Sequence, residues 1–86
     1  MKVLNRPVDM ISCHYADGTI KPLKFKIQDE DAIKTIKIDR VIDTVKERAL
    51  GKYLLRFVCL SIIDGIEKRY ELRFFPDTIQ WSLYKM

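Results

Sequence analysis

Cys13 and His14 are neighbours in the sequence and combine the side chains of a nucleophile and a general base. A thiol beside an imidazole can carry out nucleophilic catalysis when the two groups come within hydrogen-bonding distance. The surrounding residues favour a β-strand, in which adjacent side chains point to opposite faces of the sheet. We therefore expect the thiol and the imidazole to be held apart.

Metal binding is not expected either. His14 is the sole histidine, and Cys13 and Cys59 are far apart in the chain. A site made from these three residues would still lack a fourth protein ligand for zinc. The two cysteines could form one disulfide, but both lie in apolar stretches, which favours two buried free thiols. The prediction is a protein with no metal and no other cofactor.

Carboxylates occur in two groups. Asp29, Glu30 and Asp31 form an acidic run in a polar connector, whereas Glu67 and Glu71 alternate with arginines along a strand. That alternation is typical of charge pairs between strands on a solvated face. The three glycines are isolated and suit turns, so the sequence has no phosphate-binding loop. These patterns together predict a protein that is not an enzyme.

Basic residues beside aromatic ones form the remaining chemical pattern. Small barrels bind single-stranded nucleic acid by stacking bases on exposed aromatics within a basic groove. Alternation instead places Phe25 on the opposite face from Lys24 and Lys26, so we expect this aromatic residue in the core. The same holds for Tyr70 beside Arg69. The outward-facing residues still form a candidate binding surface, which consists of Lys24, Lys26, Arg56, Arg69, Arg73 and Tyr84.

The chain has 86 residues, 48% of them hydrophobic and 33% charged, with a net charge of +4. This length predicts one small domain over residues 1–86, with little room for an enclosed substrate cavity. The first residues lack the pattern of a signal peptide. The longest apolar stretch is well below the ~20 residues that cross a bilayer as a helix. We expect a cytoplasmic protein without membrane association.

Turn signals divide the chain into β-rich runs. Asp17-Gly18 and Asp64-Gly65 are typical of hairpin loops, because both positions tolerate positive φ. Pro76-Asp77 indicates a third turn. Residues 66–74 alternate between apolar and charged side chains, which predicts a strand with one solvated face. Residues 53–63 are apolar on both sides, which predicts a central strand buried on both faces.

Residues 38–49 fit two interpretations. As a helix they place one apolar stripe on a sheet, and Gly51 suits the position after the helix ends. As a strand, the run through residues 33–45 alternates with a bulge near Arg40, and its β-branched residues favour this interpretation. Residues 46–51 would then be a short helical turn or a loop.

The fold we expect is all-β, a small partly open barrel of five or six mainly antiparallel strands. Its order is a hairpin, a long bent strand and a three-strand meander. The alternative is an α+β fold with one helix near residues 38–49 on a sheet.

A series of short features runs through the chain: Arg6-Pro7-Val8-Asp9-Met10-Ile11, followed by Asp17-Gly18, Pro22 and Phe25, then Ile38-Asp39-Arg40-Val41, and the ending from Asp64-Gly65 through Trp81. With these features the chain resembles a group of short uncharacterised bacterial proteins. The resemblance spans nearly the whole chain and implies an SH3-like small β-barrel. It implies no activity and no catalytic residue, since a fold alone does not assign a function.

Strand edges carry the functional prediction. An edge strand of a small barrel can pair with a strand of a partner or of another copy of the chain. We therefore predict a non-catalytic protein-interaction or assembly module, with a protein partner or self-association. The alternative is a small β-barrel that binds nucleic acid weakly.

Overall fold

The structure is a computed structural model that describes the backbone of residues 1–86 and every side chain except that of Asp29, which lies outside the described residues. The described residues form seven strands and no helix, so the all-β prediction is confirmed. The strands are β1 (Val3–His14), β2 (Ile20–Asp29), β3 (Ala32–Lys37), β4 (Arg40–Ala49), β5 (Lys52–Ile63), β6 (Ile66–Phe75) and β7 (Gln80–Lys85). None of the described residues forms a helix capable of crossing a membrane.

The strands form one antiparallel sheet in the order β3-β2-β1-β7-β6-β5-β4. It consists of two meanders, β1–β2–β3 and β4–β5–β6–β7, which are joined where β1 pairs with β7. Residues 3–8 of β1 pair with β7, whereas residues 9–14 pair with β2. Because β1 is divided in this way, the sheet bends and both meanders cover one core. The sheet is not closed, and β3 and β4 are its edges.

The seven strands exceed the five or six that the sequence predicts. The run expected as one strand over residues 33–45 is interrupted at Ile38 and Asp39. Their backbone N–H groups donate to Leu23 O at 2.9 Å and to Leu60 O at 3.1 Å. These hydrogen bonds to other strands separate β3 from β4, so a three-strand meander is followed by a four-strand one.

Of residues 46–51, only Leu50 and Gly51 form a loop; residues 46–49 are neither a helical turn nor a loop, and for them the prediction was wrong. They continue β4 to Ala49, where Leu50-Gly51 forms a two-residue turn into β5. Helix preference is a weak tendency, and pairing across the ladder, with Glu47 opposite Leu54, overrides it. The expected bulge does occur, between Val41 and Asp43.

The turns follow the sequence signals closely. Asp64 and Gly65 have φ values of 52° and 77° and connect β5 to β6 as a two-residue hairpin. Asp17-Gly18 lies in a wider loop, which the Tyr15 N–H closes by donating to Thr19 O at 2.8 Å. The turn that begins at Pro76 ends β6.

The core lies between the two meanders and is rich in aromatic side chains. Phe25 of β2 packs against Tyr70 of β6, with ring centres 5.6 Å apart. Trp81 of β7 packs against Phe74 at 4.8 Å and Phe57 at 5.3 Å. The aromatic residues thus point into the core, as the alternation predicts, and the neighbouring cations point outward.

A polar relay joins the two meanders inside this core. The buried Tyr70 hydroxyl lies 2.6 Å from Ser61 Oγ, which donates to the Lys37 carbonyl at 2.6 Å. Burial raises the pKa of Tyr70 above its ordinary value, so the phenol stays protonated. The relay therefore connects β6, β5 and the end of β3 through neutral hydrogen bonds.

Candidate binding surfaces

Arg56 and Arg73 lie directly opposite each other on the outer face of β5 and β6. Like charges in such positions repel, and the carboxylate of Glu71 compensates for both. Arg73 Nε donates to Glu71 Oε2 at 3.0 Å, and Arg56 Nη1 lies 3.8 Å from Glu71 Oε1. Glu71 is only 4% exposed, so two guanidinium groups rather than water balance its charge.

These contacts extend to the neighbouring strands. Arg56 Nε donates to Glu47 Oε1 of β4 at 2.7 Å. The guanidinium carbon of Arg73 lies 3.4 Å from the centre of the Tyr84 ring on β7, a favourable cation–π contact. We call these residues, Glu47, Arg56, Glu71, Arg73 and Tyr84, the arginine cluster. Its internal contacts occupy donors that an anionic ligand would need, so the cluster first of all stabilises the outer face.

The six residues predicted as one binding surface lie on two separate surfaces. Arg56, Arg73 and Tyr84 belong to the arginine cluster, and Arg69 lies on the same face of β6, exposed and opposite Leu60. Lys24 and Lys26 lie on the outer face of β2, in the other meander, with buried Phe25 between them. The structure thus separates the two lysines from the other four residues.

A second group of cations surrounds an open groove of about 760 Å³ beside β2, at the junction of β3 and β4. Lys24 lies directly opposite Lys37 in the β2–β3 ladder. The acid in the groove, Asp39, accepts a hydrogen bond from the Ile62 N–H at 2.8 Å. We call this the basic groove, and its cations are Lys21, Lys24, Lys37 and Arg40.

Only Lys24 of these four cations was predicted as a site residue. The sequence did hold a signal for Lys37, because a two-residue turn at Glu30-Asp31 places it opposite Lys24. A single strand over residues 33–45, as the sequence predicts, does not contain this register. Without a separate β3, nothing pairs Lys37 with Lys24.

The third candidate surface is the side of β1 on which residues 9–14 have no partner strand. Residues 9–14 pair with β2 on one side, and β7 does not extend far enough to pair with them on the other. We call this side the free edge of β1. It borders an open cleft of about 690 Å³. Because the Tyr15 N–H points toward β2 and N–H directions alternate, the N–H groups of Ser12 and His14 point toward the cleft.

Ser12 and His14 also approach each other through their side chains. Ser12 Oγ lies 3.1 Å from His14 Nε2, a distance suited to a nucleophile and its base. Residues that are two apart on a strand share a face, so the strand itself brings Ser12 and His14 together. The His14 ring packs edge-on against Phe74, and among the described side chains no carboxylate hydrogen-bonds to it. Without an orienting acid and oxyanion donors, we assign no reaction to this pair.

The two cysteines are free thiols in different surroundings. Interaction with the Cys13 side chain raises the pKa of the Tyr15 phenol, whereas the His14 ring packs against Phe74. Burial raises the pKa of Cys59 to about 12, which keeps this thiol neutral in the core. The side chains that the structure describes contain no group of three or more His, Cys, Asp or Glu residues placed to hold a metal ion.

Fold and surfaces together define a small all-β protein, one bent and open antiparallel sheet with a free strand edge and a basic groove. No protein-family model, no curated protein and no solved structure matches this chain. The resemblance to uncharacterised bacterial proteins therefore stays a prediction.

Proposed function

We propose that this protein is a non-catalytic interaction module that binds an extended peptide segment of a partner along the free edge of β1. The observation that carries the proposal is the interrupted ladder, in which residues 9–14 have a partner strand on one side only. In strand addition, main-chain hydrogen bonds provide affinity, and side chains on alternate residues provide specificity. An antiparallel segment here would continue the line of β7 beyond Gln80.

The lining of the cleft favours a segment with both apolar and polar side chains. Met10 and Trp81 offer apolar contacts, while Ser12, His14 and Gln80 offer polar ones. A strand places successive side chains on opposite faces. Met10, Ser12 and His14 therefore share one face of β1, so a bound segment would need an apolar side chain beside Met10 and polar side chains beside Ser12 and His14 on that same face.

The two outer edges of the sheet are less suitable for strand addition. β4 carries the bulge between Val41 and Asp43 and several charged side chains, both of which discourage pairing with another strand. β3 is tied to the β5–β6 hairpin by the ion pair of Lys34 with Asp64 at 2.8 Å. Along residues 9–14 the ladder shifts register between Ile11 and Ser12, but the extra residue is Leu23 of β2, so β1 itself stays regular. Asp9 is the one charged residue among residues 9–14.

The proposal places the module in the cytoplasm with reduced thiols, and it includes an SH3-like relationship of the sheet. The bend at β1 and the Tyr70–Ser61 relay, which brings the two meanders together, support that relationship. Nucleic-acid binding receives less support. Phe25 and Tyr70 are 1% and 0% exposed and give bases no surface on which to stack.

A display library of random linear peptides tests the proposal. Selected peptides should lose binding, measured by calorimetry, when alternate backbone amides of the peptide are N-methylated. Ser12→Pro should also abolish binding, because proline removes an N–H that faces the cleft. Ser12→Ala keeps that N–H and should still bind.

Circular dichroism must first show that the Ser12→Pro variant retains its strands. If that variant does not fold, His14→Pro removes the other N–H that faces the cleft and serves in its place. The proposal is wrong if no peptide is selected. It is also wrong if selected peptides bind equally well after N-methylation or to the folded proline variant.

A further inference from the structure

The basic groove concentrates positive charge at a cost to the fold. Lys24 and Lys37 are cross-strand neighbours, and like charges in that position destabilise a sheet. Among the described side chains, none of the four groove cations forms an ion pair. The carboxylate of Asp39 accepts the Ile62 N–H instead of pairing with them. The groove therefore has the electrostatics of a site for an anionic segment.

The groove is also apolar at its base. Pro22 is buried, Ile38 is 9% exposed, and Val41 lies beside them. Ile11 and Leu23 line the same groove with exposed side chains. Its lining has no aromatic residue among those described, so it lacks a surface for base stacking. An acidic segment that also carries an aliphatic side chain is the best match.

The chain itself contains such a segment at the tip of the β2–β3 hairpin. Residues 29–31 are three consecutive acids, and Glu30 and Asp31 form the turn. Ile33 follows after Ala32, on the outer face of β3, and is 72% exposed. We call residues 30–33 the acidic tip. Its charge and its isoleucine complement the cations and the apolar base of the groove.

We propose that two copies of this chain form a symmetric dimer, in which the acidic tip of each copy binds in the basic groove of the other. A copy cannot fill its own groove, because the β2–β3 ladder is continuous from Lys24 opposite Lys37 to the turn. That ladder holds the two features roughly 20 Å apart, at about 3.3 Å per residue. One two-fold axis then forms both contacts at once and closes the assembly.

The inference belongs to the proposed class of interaction module, but it uses a different surface from the free edge of β1. If the chain does not dimerise, peptide binding at the free edge of β1 is not affected. Loss of peptide binding would in turn leave the dimer intact, so the two proposals are tested separately.

Sedimentation equilibrium over a concentration series tests the dimer. The wild-type chain should dimerise at about 0.05 M salt and dissociate at about 0.5 M, because charge contacts at a surface are screened. The groove variant, Lys24→Glu with Lys37→Glu, should raise the dimer dissociation constant at least about tenfold. The tip variant, Glu30→Lys with Asp31→Lys, should do the same. The four substitutions combined exchange the charges of the two surfaces and should restore the dimer.

Lys2→Glu with Lys46→Glu is the matched control. It changes the net charge as much as the groove variant does, at exposed positions away from both surfaces, and should leave the dimer unchanged. Circular dichroism checks each fold. The tip variant decides the question if the groove variant does not fold, because the tip residues are exposed in a turn.

Several outcomes would overturn the proposal. The wild-type chain could be monomeric at low salt, the control could dissociate like the groove variant, or the fourfold exchange could fail to restore the dimer. A monomer that binds an oligonucleotide, and loses this binding in the groove variant but not in the tip variant, would assign the groove to nucleic acid instead.

Discussion

Replacing Glu71 with glutamine should destabilise the fold far more than the same replacement at Glu67. Both residues lie on the outer face of β6, four positions apart, and alternation alone would treat them alike. In the structure Glu67 is exposed, whereas Glu71 is 4% exposed and contacts two guanidinium groups. Glutamine keeps the shape of the side chain and removes its charge.

The expected loss follows from these contacts. A hydrogen bond to a charged group contributes about 1.5–3 kcal/mol, and Glu71→Gln weakens the one from Arg73. It also leaves Arg56 and Arg73 opposite each other without the charge between them. Breaking a fully buried ion pair costs roughly 3–5 kcal/mol. Since Arg56 and Arg73 are 29% and 21% exposed, water offsets part of this, and we expect about 2 kcal/mol.

Urea unfolding followed by the fluorescence of the single tryptophan, Trp81, measures this loss. The unfolding midpoint should fall by roughly 1–2 M urea with an unchanged slope, and the thermal midpoint by about 8–16 °C. Glu67→Gln should stay within about 0.5 kcal/mol of the wild type. If Glu71→Gln also stays within that range, the arginine cluster does not stabilise the sheet as argued here.

Two further substitutions, a thiol reagent and a change of pH test the contacts of the core and the turns. Tyr70→Phe removes the hydroxyl that hydrogen-bonds to Ser61, and the free energy of unfolding measured with urea should fall by about 1–2 kcal/mol. An unchanged free energy of unfolding would mean that this hydrogen bond contributes nothing to stability. Leu50 has a φ of 51°, a backbone conformation that is strained for residues other than glycine or asparagine. Leu50→Asn should therefore raise the free energy of unfolding by about 0.5–1 kcal/mol. A fall in the thermal midpoint would contradict this. At pH 8 a thiol reagent should label Cys13 of the folded protein and reach Cys59 only after unfolding, as mass spectrometry would show; equal labelling would refute a buried neutral thiol. Because folding raises the pKa of Cys59 from 9.0 to about 12, stability should be retained below pH 9 and fall as the pH rises from there toward 12, and a flat profile in alkaline unfolding would contradict the shift.

The features that the sequence predicted well depend on local rules. Asp64-Gly65 forms the expected two-residue hairpin because both residues tolerate positive φ. The alternation of residues 66–74 predicts the burial of Tyr70, Leu72 and Phe74 correctly. It fails at Ile66, which is 59% exposed, because β6 begins outside the core. Alternation thus gives the face of a strand but not the extent of the core.

Features that arise from contacts between distant segments could not be predicted in the same way. Glu71 is on the face that alternation assigns to solvent, yet the side chains of two neighbouring strands bury it. Ser61 is a polar residue in an apolar run, and its burial is explained by its hydrogen-bond partners on other strands, the Tyr70 hydroxyl and the Lys37 carbonyl. The free edge of β1 depends on where β7 begins, which no residue of β1 reveals.

The pairing of β1 with β7 also determines the order in which the sheet can be assembled. Each meander joins strands that are neighbours in sequence, whereas Lys2 and Met86 exchange backbone hydrogen bonds of 2.8 and 3.0 Å across the whole described chain. Contacts of such high sequence separation form slowly, because a long loop must close first. On the ribosome, the nascent β1–β2–β3 meander must therefore wait with one side of β1 unpaired until the last strand emerges, and docking of the two meanders should limit the rate of folding.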